Sequence, residues 1–391
     1  MNRNFWITAL IAFINSLSLT ILIPIIYLYG KRFGLSDFQT SLLFSTYSIA
    51  QFLATPVIGK LSDRFGRKPL LIISLAGTVI ANLIAGTATT AGILFLARFL
   101  DGITGGNASV AQAIISDVTT SENRARGFGV YGAAFGLGFV LGPVTSLLAQ
   151  QISLGAAFLV SSAVAFVGLL VTIFLLPETL EHKADKAQNI FDLGLGNLIS
   201  GLAMPKVGVL LVINFFIGTT FTIFTFAFQP YFINVLGQNS ESLTLMFLAF
   251  GVLGVIMQTW GVSILSQKFN LVNILFLALF IRSLSFVIMP IWQNIIYFVV
   301  VSIFFSLFNS LVQPMINTLI SLNAKAQDQG TAMGLNASYL SISNGIGPVI
   351  AGTLIHQSHP ITYGYPLYLA GFLTFLVLFL AILGRKKYAL E

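Results

Sequence analysis

Two ionisable residues stand three positions apart inside an otherwise apolar stretch, Leu96-Ala-Arg98-Phe-Leu-Asp101-Gly102. Both are costly in hydrocarbon, and an intramembrane residue of this kind marks a functional site by default. On a helix the three-residue spacing puts them on one face, where each charge compensates the other. Burial and a neighbouring cation act on such a carboxyl in opposite senses, so its proton is taken up or released when either changes. The chemistry this suits is proton carriage, with Asp101 as carrier and Arg98 as the residue that tunes it. The plainer reading is an ion pair that only holds structure together. Asp101 is the one carboxylate that falls well inside an apolar run; Asp117 and the rest fall at ends or in loops.

The stretch belongs to a chain composed for hydrocarbon. Hydrophobic residues make up 56% of the 391 and charged residues 8%, against roughly a quarter charged in a soluble domain. Phe alone accounts for 36 residues, which suits a lipid-facing surface and an aromatic-lined cavity equally. Apolar runs occur near 5–29, 38–58, 70–88, 91–116, 127–149, 154–176, 207–235, 242–265, 271–290, 293–320, 330–355 and 362–384. A bilayer span needs about 20 such residues. The expected fold is an all-α membrane protein with twelve transmembrane helices. The polar segment 177–206 reads as a cytoplasmic linker between an N-terminal six-helix bundle, 1–176, and a C-terminal one, 207–391. Part of it, around 190–202, suits an amphipathic helix lying on the membrane surface.

Basic residues set the orientation. With the N-terminus inside, Arg3, Lys60, Arg64, Arg67, Lys68, Arg124, Arg126, Lys183, Lys186, Lys206, Lys268, Lys325, Arg385, Lys386 and Lys387 are cytoplasmic. Lys31 and Arg32 alone fall outside, while Arg98 and Arg282 lie within spans. Both termini are therefore expected in the cytoplasm. The net charge of +7 is dispersed over these short loops, so it does not indicate a nucleic-acid partner. With no cysteine, neither disulfides nor thiolate metal sites arise. His356 and His359 share an outer loop without acidic partners, and no metal site is expected. No nucleophile–base pair or phosphate-binding loop is present, so the chain does not read as an enzyme, and no cofactor is expected.

The halves resemble each other. Gly129 stands thirteen residues before Gly142-Pro143-Val144, and Gly334 thirteen before Gly347-Pro348-Val349, an offset of 205. Gly59 opens the loop GKLSDRFGR and Gly261 a degenerate counterpart, GVSILSQKF, an offset of 202. Transporters built from such repeats place their substrate between them near the midplane.

The loop Gly59-Lys-Leu-Ser-Asp63-Arg64-Phe-Gly66-Arg67-Lys-Pro69 joins the second and third spans. Basic residues holding a loop inside account for Arg64, Arg67 and Lys68, but not for the glycine spacing or the central aspartate. The loop is similar to the signature of the major facilitator superfamily, G-x-L-(A/S)-D-R-x-G-R-(K/R), and the match is full. The resemblance implies a cytoplasmic latch. In it Asp63 meets the N-terminal end of the eleventh helix, where the helix dipole favours an anion, and Arg67 pairs with Asp117 at the end of the fourth span.

The resemblance extends along the chain. Arg98 matches the arginine that the family carries in its fourth span, thought to tune a nearby proton site. Gly138, Gly142 and Pro143 resemble the family's antiporter motif, G-x-x-x-G-P-x-x-G-G, although Ser146-Leu147 stand where two glycines are usual. The stretch from Ala97 to Pro143 is similar to drug/proton antiporters, particularly tetracycline exporters. Those use membrane carboxylates in spans one, three and nine, where this chain has Asn15, Asn82 and Arg282. A metal–tetracycline chelate is thus not the expected substrate. In this fold the ninth span is peripheral, and Arg282 reads as snorkelling or pairing with a lipid phosphate, with a functional role as the other reading.

The same architecture lines its cavity with spans 1, 2, 4, 5, 7, 8, 10 and 11. Candidates there are Asn15, Tyr47, Gln51, Asn107, Gln112, Asn214, Phe221, Phe224, Gln229, Phe305, Asn309, Gln313, Asn336 and Tyr339. Each also fits helix packing or lipid contact, but together they describe an aromatic-rich pocket with little fixed charge. The expected function is proton-coupled efflux of lipophilic small molecules by alternating access. An importer, a facilitator or a lipid-like flippase is the second reading, and a non-transporting sensor the third. The expected partners are the lipophilic substrate, protons and membrane lipids. The protein is expected in the cell (inner) membrane as a multi-pass protein, functional as a monomer.

Overall fold

The computed structural model describes residues 3–119, 123–180, 195–324 and 329–388, and among these every regular element is helical. Residues 181–194, with Lys183 and Lys186, and residues 325–328, with Lys325, lie outside the described residues. Long uncharged runs leave the backbone as the main polar load, and in hydrocarbon a helix satisfies it within the segment. The elements are α1 (Arg3–Leu22), α2 (Ile26–Arg32), α3 (Asp37–Phe65), α4 (Arg67–Gly86), α5 (Ala91–Ile103), α6 (Asn107–Asp117), α7 (Arg124–Gln150) and α8 (Leu154–Leu175). After the linker come α9 (Leu195–Leu202), α10 (Val207–Pro230), α11 (Ser240–Ile256), α12 (Val262–Lys268), α13 (Leu271–Ile288), α14 (Ile295–Asn323), α15 (Gln329–Leu354) and α16 (Tyr365–Tyr388). Four helix starts are capped by side chains: Thr90, Ser153, Asn270 and Asn294 each accept a backbone N–H from the first turn.

Ten of the described helices, some extended by a π or 3₁₀ turn, are long and apolar enough to cross a bilayer. The other two expected runs differ for identifiable reasons. The fourth is broken at Thr104-Gly105-Gly106 into α5 and α6. The eleventh is α15, a 26-residue helix whose Gly, Ser and Asn residues dilute its apolar character. Of the expected surface helix near 190–202, the described part forms α9.

The chain forms two compact units. The first comprises 1–35, 46–193 and 240–248; the second comprises 36–45, 194–239 and 249–391. In the first, α1 packs on α7 and α8, and α4 on α5, α6 and α8. In the second, α10 packs on α14, α15 and α16, and α13 on α14 and α16. Within it Tyr363 donates from its hydroxyl to Asp37 Oδ2 at 3.3 Å, both residues buried.

The internal repeat reappears as a physical contact. In the first unit Thr20 Oγ1 donates to the Gly138 carbonyl at 2.7 Å, and a Cβ on Gly142 would collide with that hydroxyl. In the second, Thr222 Oγ1 donates to the Ser343 carbonyl at 2.9 Å, and a Cβ on Gly347 would collide with it. Gly138 and Gly142 therefore press α7 against α1 as small residues do where helix backbones approach closely. The rest of the α7 glycine string behaves differently: a Cβ on Gly129, Gly132 or Gly136 would meet nothing within 4 Å.

Arg282 corrects the expectation for the ninth span. It is 1% exposed, and its Nη2 donates to the Ile217 carbonyl at 2.8 Å and to Thr220 Oγ1 at 2.7 Å, both on α10. Its guanidinium lies 5.3 Å from the Phe286 ring centre. The side chain thus points into the second unit rather than to lipid, because helix carbonyls and aromatic faces replace the water it has lost.

Gly142→Ala is expected to lower the stability of the purified protein by about 1–3 kcal/mol, the usual cost of overpacking. Gly129→Ala, with open space around its Cβ, is the matched control and should melt like the parent. Equal losses at the two positions would show that α1 and α7 are not joined through Gly142.

Candidate functional site

The polar centre of the first unit is built from five helices, α1, α3, α4, α5 and α6. Arg98 and Asp101 are each 5% exposed, with Arg98 Nη1 3.3 Å from Asp101 Oδ2. The Arg98 guanidinium lies over the Tyr47 ring of α3, 4.3 Å from its centre. Gln51, one turn further along α3, donates through Nε2 to Tyr47 Oη and to the Gly105 carbonyl, both at 3.0 Å. That carbonyl sits at the break between α5 and α6, so the interruption of the fourth span is held by a side chain of the second. A Cβ on Gly102 would collide with the Tyr47 carbonyl, which explains a glycine directly after Asp101.

The polar chain continues on the other side of Asp101. Thr78 of α4 adjoins the Asp101 carboxyl there. Asn107 Nδ2 donates to Thr78 Oγ1 at 3.3 Å and to Asn15 Oδ1 at 2.9 Å. Asn15, Asn107, Tyr47 and Gln51, read separately in the sequence, thus converge with Arg98 and Asp101 in one network.

The loop between α3 and α4 forms a second cluster. Arg67 is paired through Nη1 with Asp63 at 2.5 Å and through Nε with Asp117 at 3.0 Å, and its Nη1 donates to Ser62 Oγ at 2.7 Å. The Arg64 guanidinium lies over the Phe65 ring at 5.4 Å. The first glycine, Gly59, has open space where a Cβ would stand. The second, Gly66, is required twice over: its φ is +116°, and a Cβ there would collide with Glu178.

Glu178 is the residue that sequence reasoning missed. Its carboxylate accepts the backbone N–H of Arg67 at 2.9 Å and of Lys68 at 3.2 Å, capping the first turn of α4. It also accepts from the N–H groups of Thr179 and Leu180, at 2.9 and 3.0 Å. Thr179 Oγ1 lies 3.4 Å from Asp117 Oδ2. The first residues after the sixth span are therefore built into the loop between α3 and α4. The one signal for this was an acid directly after Pro177, at the end of an apolar run.

The remaining cavity candidates separate into bonded and packed residues. In the second unit, Asn214 Nδ2 donates to Asn336 Oδ1, Asn336 Nδ2 to Asn317 Oδ1 at 3.0 Å, and Gln313 Nε2 to the same oxygen at 3.1 Å. This amide relay ties α10, α14 and α15 together, and Asn317 had not been singled out. Phe224 and Phe305 are each 2% exposed in an aromatic cluster with Phe228, Phe250 and Phe286, whereas Phe221 is 40% exposed. Gln229 is buried and donates to the Thr225 carbonyl at 3.4 Å. Tyr339 Oη donates to the Leu198 carbonyl of α9 at 2.7 Å, Asn309 is half-buried, and Gln112 is exposed and hydrogen-bonds Tyr131.

Apolar helices of spanning length around two polar, hydrogen-bonded interiors define a multi-pass membrane transporter of the all-helical class. The family model of the Major Facilitator Superfamily matches residues 8–207 and 210–389, and the chain belongs to that family. It is 26% identical over 376 residues to the class B tetracycline resistance protein of Escherichia coli, covering 93% of this chain and 92% of that protein. It is 24% identical to multidrug resistance protein 2 of Bacillus subtilis, over 96% of this chain and 93% of the relative. The crystal structure of the human organic anion transporter MFSD10 superposes with a TM-score of 0.74 at 21% identity, covering 97% of this chain and 99% of that one.

Burial pushes the Glu178 carboxyl up, but the N–H groups of Leu180, Arg67, Lys68 and Thr179 outweigh it and hold it below the ordinary glutamate range. A carboxyl depressed in the folded state adds stability above its unfolded pKa of about 4.3 and loses it as pH falls through the folded value. Glu178→Gln is therefore expected to cost about 1 kcal/mol at neutral pH, the usual worth of a helix cap. The gap to the parent should shrink below about pH 4. Thermal unfolding at both pH values checks this, and a gap independent of pH would contradict the assigned role.

Proposed function

We propose that the chain is a proton-coupled exporter of lipophilic small molecules working by alternating access. The observation that carries this reading is the buried Arg98–Asp101 pair, flanked on one side by Tyr47 and on the other by Thr78, Asn107 and Asn15. A carboxyl whose partner is a cation three residues away binds a proton when that partner is drawn off and releases it when the partner returns. Tyr47 and Gln51 offer Arg98 an alternative seat, an aromatic face whose hydroxyl is itself fixed by hydrogen bonding. The efflux direction is supported by the tetracycline and multidrug resistance relatives and by Gly138, Gly142 and Pro143 in α7.

In this proposal the Gly59–Pro69 loop is the state-dependent latch. Arg67, bonded to Asp63 and Asp117, joins the ends of α3, α4 and α6 into one rigid corner. Asp63 of that corner engages the N-terminal end of the eleventh helix in the latched state, where an anion is favoured. Substrate is held in an aromatic, uncharged cavity drawn from the remaining polar and Phe candidates, so lipophilic organic compounds suit it better than sugars or inorganic ions.

One observation favours a second reading, an importer or an uncoupled facilitator on the same fold. Asn15, Asn82 and Arg282 leave spans one, three and nine without a carboxylate, and Ser146-Leu147 replace the glycine pair of the antiporter motif.

In everted vesicles holding a proton gradient, substrate addition is expected to release protons, and Asp101→Asn to abolish that release while Asp101→Glu retains part of it. Unaltered coupling in Asp101→Asn would falsify the assignment of Asp101. Counterflow that ignores an uncoupler would select the facilitator instead.

A further inference from the structure

Where α10 begins and α16 ends, the second unit holds a cavity of about 480 Å³ lined by Leu202, Met204, Pro205, Lys206, Val209 and Lys386. Four of these residues are apolar and two are cations, both exposed. Neither lysine belongs to an ion pair among the described residues. Lys206 also stands apart conformationally, as the one non-glycine residue with positive φ, +66°, among them. The Val207 N–H bonds back to the Pro205 carbonyl at 2.7 Å, making Lys206 the centre of a γ-turn of the rare, strained kind. A strained residue of this sort persists where its surroundings determine it, and such outliers gather at ligand clamps. Beside the cavity, α9 carries no charged residue and exposes Ile199 and Leu202, at 75% and 47%.

We infer that this cavity is a binding site for the head group of an anionic phospholipid. Lys206 and Lys386 stand at the ends of two spanning helices, at the depth where lipid phosphates lie. Basic pockets between transmembrane helices at this depth suit anionic head groups. The apolar wall from Met204 to Val209 and the exposed face of α9 give the start of an acyl chain a dry surface to follow. A water-soluble anion would have no use for that wall, and it is the pairing of two cations with an apolar floor that selects a lipid. Attraction of this kind is worth roughly five-fold in affinity per basic residue.

Native mass spectrometry of the full chain in detergent tests the site, with phosphatidylglycerol against phosphatidylcholine of the same acyl chains. The parent is expected to retain phosphatidylglycerol more than ten-fold over phosphatidylcholine. Lys206→Gln and Lys386→Gln should each lose roughly five-fold of that preference, and the double variant nearly all of it. Lys268→Gln, a surface cation elsewhere in the unit, should leave it unchanged. Lys206→Gly separates charge from folding: glycine relieves the positive φ, so the variant should melt no lower than the parent yet lose the same five-fold. Equal retention of the two lipids by the parent would overturn the proposal, as would a preference that survives the double variant. So would sn-glycerol 3-phosphate binding as tightly as the lipid, which would mark a site for a soluble anion.

Discussion

A guanidinium buried among apolar helices has given up its water and must find acceptors in the protein. The chain meets this constraint twice, in different ways. Arg98 is matched by a carboxylate 3.3 Å away and an aromatic face at 4.3 Å. Among the described residues, Arg282 is matched by neutral groups, a helix carbonyl, a threonine hydroxyl and the ring of Phe286. The second unit thus carries a buried cation seated by neutral groups and the first a buried ion pair. Arg282 is also a precedent within the same molecule: a buried Arg can be seated by carbonyl, hydroxyl and ring alone. Protonation of Asp101 would leave Arg98 in a comparable position, with the Tyr47 ring already in place beneath it.

The same constraint explains why small residues matter more than large ones here. Between helices in lipid there is no hydrophobic drive to associate, so close backbone approach and interhelical hydrogen bonds take its place. Gly142 against Thr20 and Gly347 against Thr222 are the same device in the two units. The pairs adjoining them exchange partners: Gly138 of α7 lies against Ser16 of α1, while Ser343 of α15 lies against Gly218 of α10. What the duplication preserves is the fit, a glycine facing a hydroxyl residue, and not which helix supplies which. That is why the repeat is faint when the halves are compared letter by letter.

Legibility in the sequence followed range. The apolar spans are plain, because hydrocarbon imposes a run length and a composition. Arg98 and Asp101 were found together because both lie on one helix, three residues apart. Tyr47, Thr78 and Asn107, which complete their surroundings, come from three other segments, and nothing local marks Tyr47 as the partner of Arg98. Glu178 was hidden for the same reason: an acid after a proline reads as the start of a linker until the N–H groups of Arg67 and Lys68 are seen to meet it. Arg282 was read outward because peripheral helices usually turn their long side chains to lipid, whereas here the carbonyl of Ile217 and the hydroxyl of Thr220 draw it in. The break in the fourth span was legible only as two glycines, with no sign that Gln51 secures it.

That break connects the two clusters in the first unit. The second span carries Tyr47 and Gln51 at the buried pair and Asp63 at the Arg67 cluster, and between Tyr47 and Asp63 it runs as one helix of α3 with Pro56 inside it, about 24 Å at 1.5 Å per residue. The fourth span carries Asp101 at the pair and Asp117 at the Arg67 cluster, the same sixteen positions apart, but is interrupted midway at Thr104–Gly106. One span is continuous and the other broken. At the far end both are joined through Arg67, and at the break the Gly105 carbonyl is held by Gln51 of α3. Gln51 bonds both the Tyr47 hydroxyl and the Gly105 carbonyl at the break, so one α3 side chain ties the surroundings of the buried pair to the interruption of the fourth span.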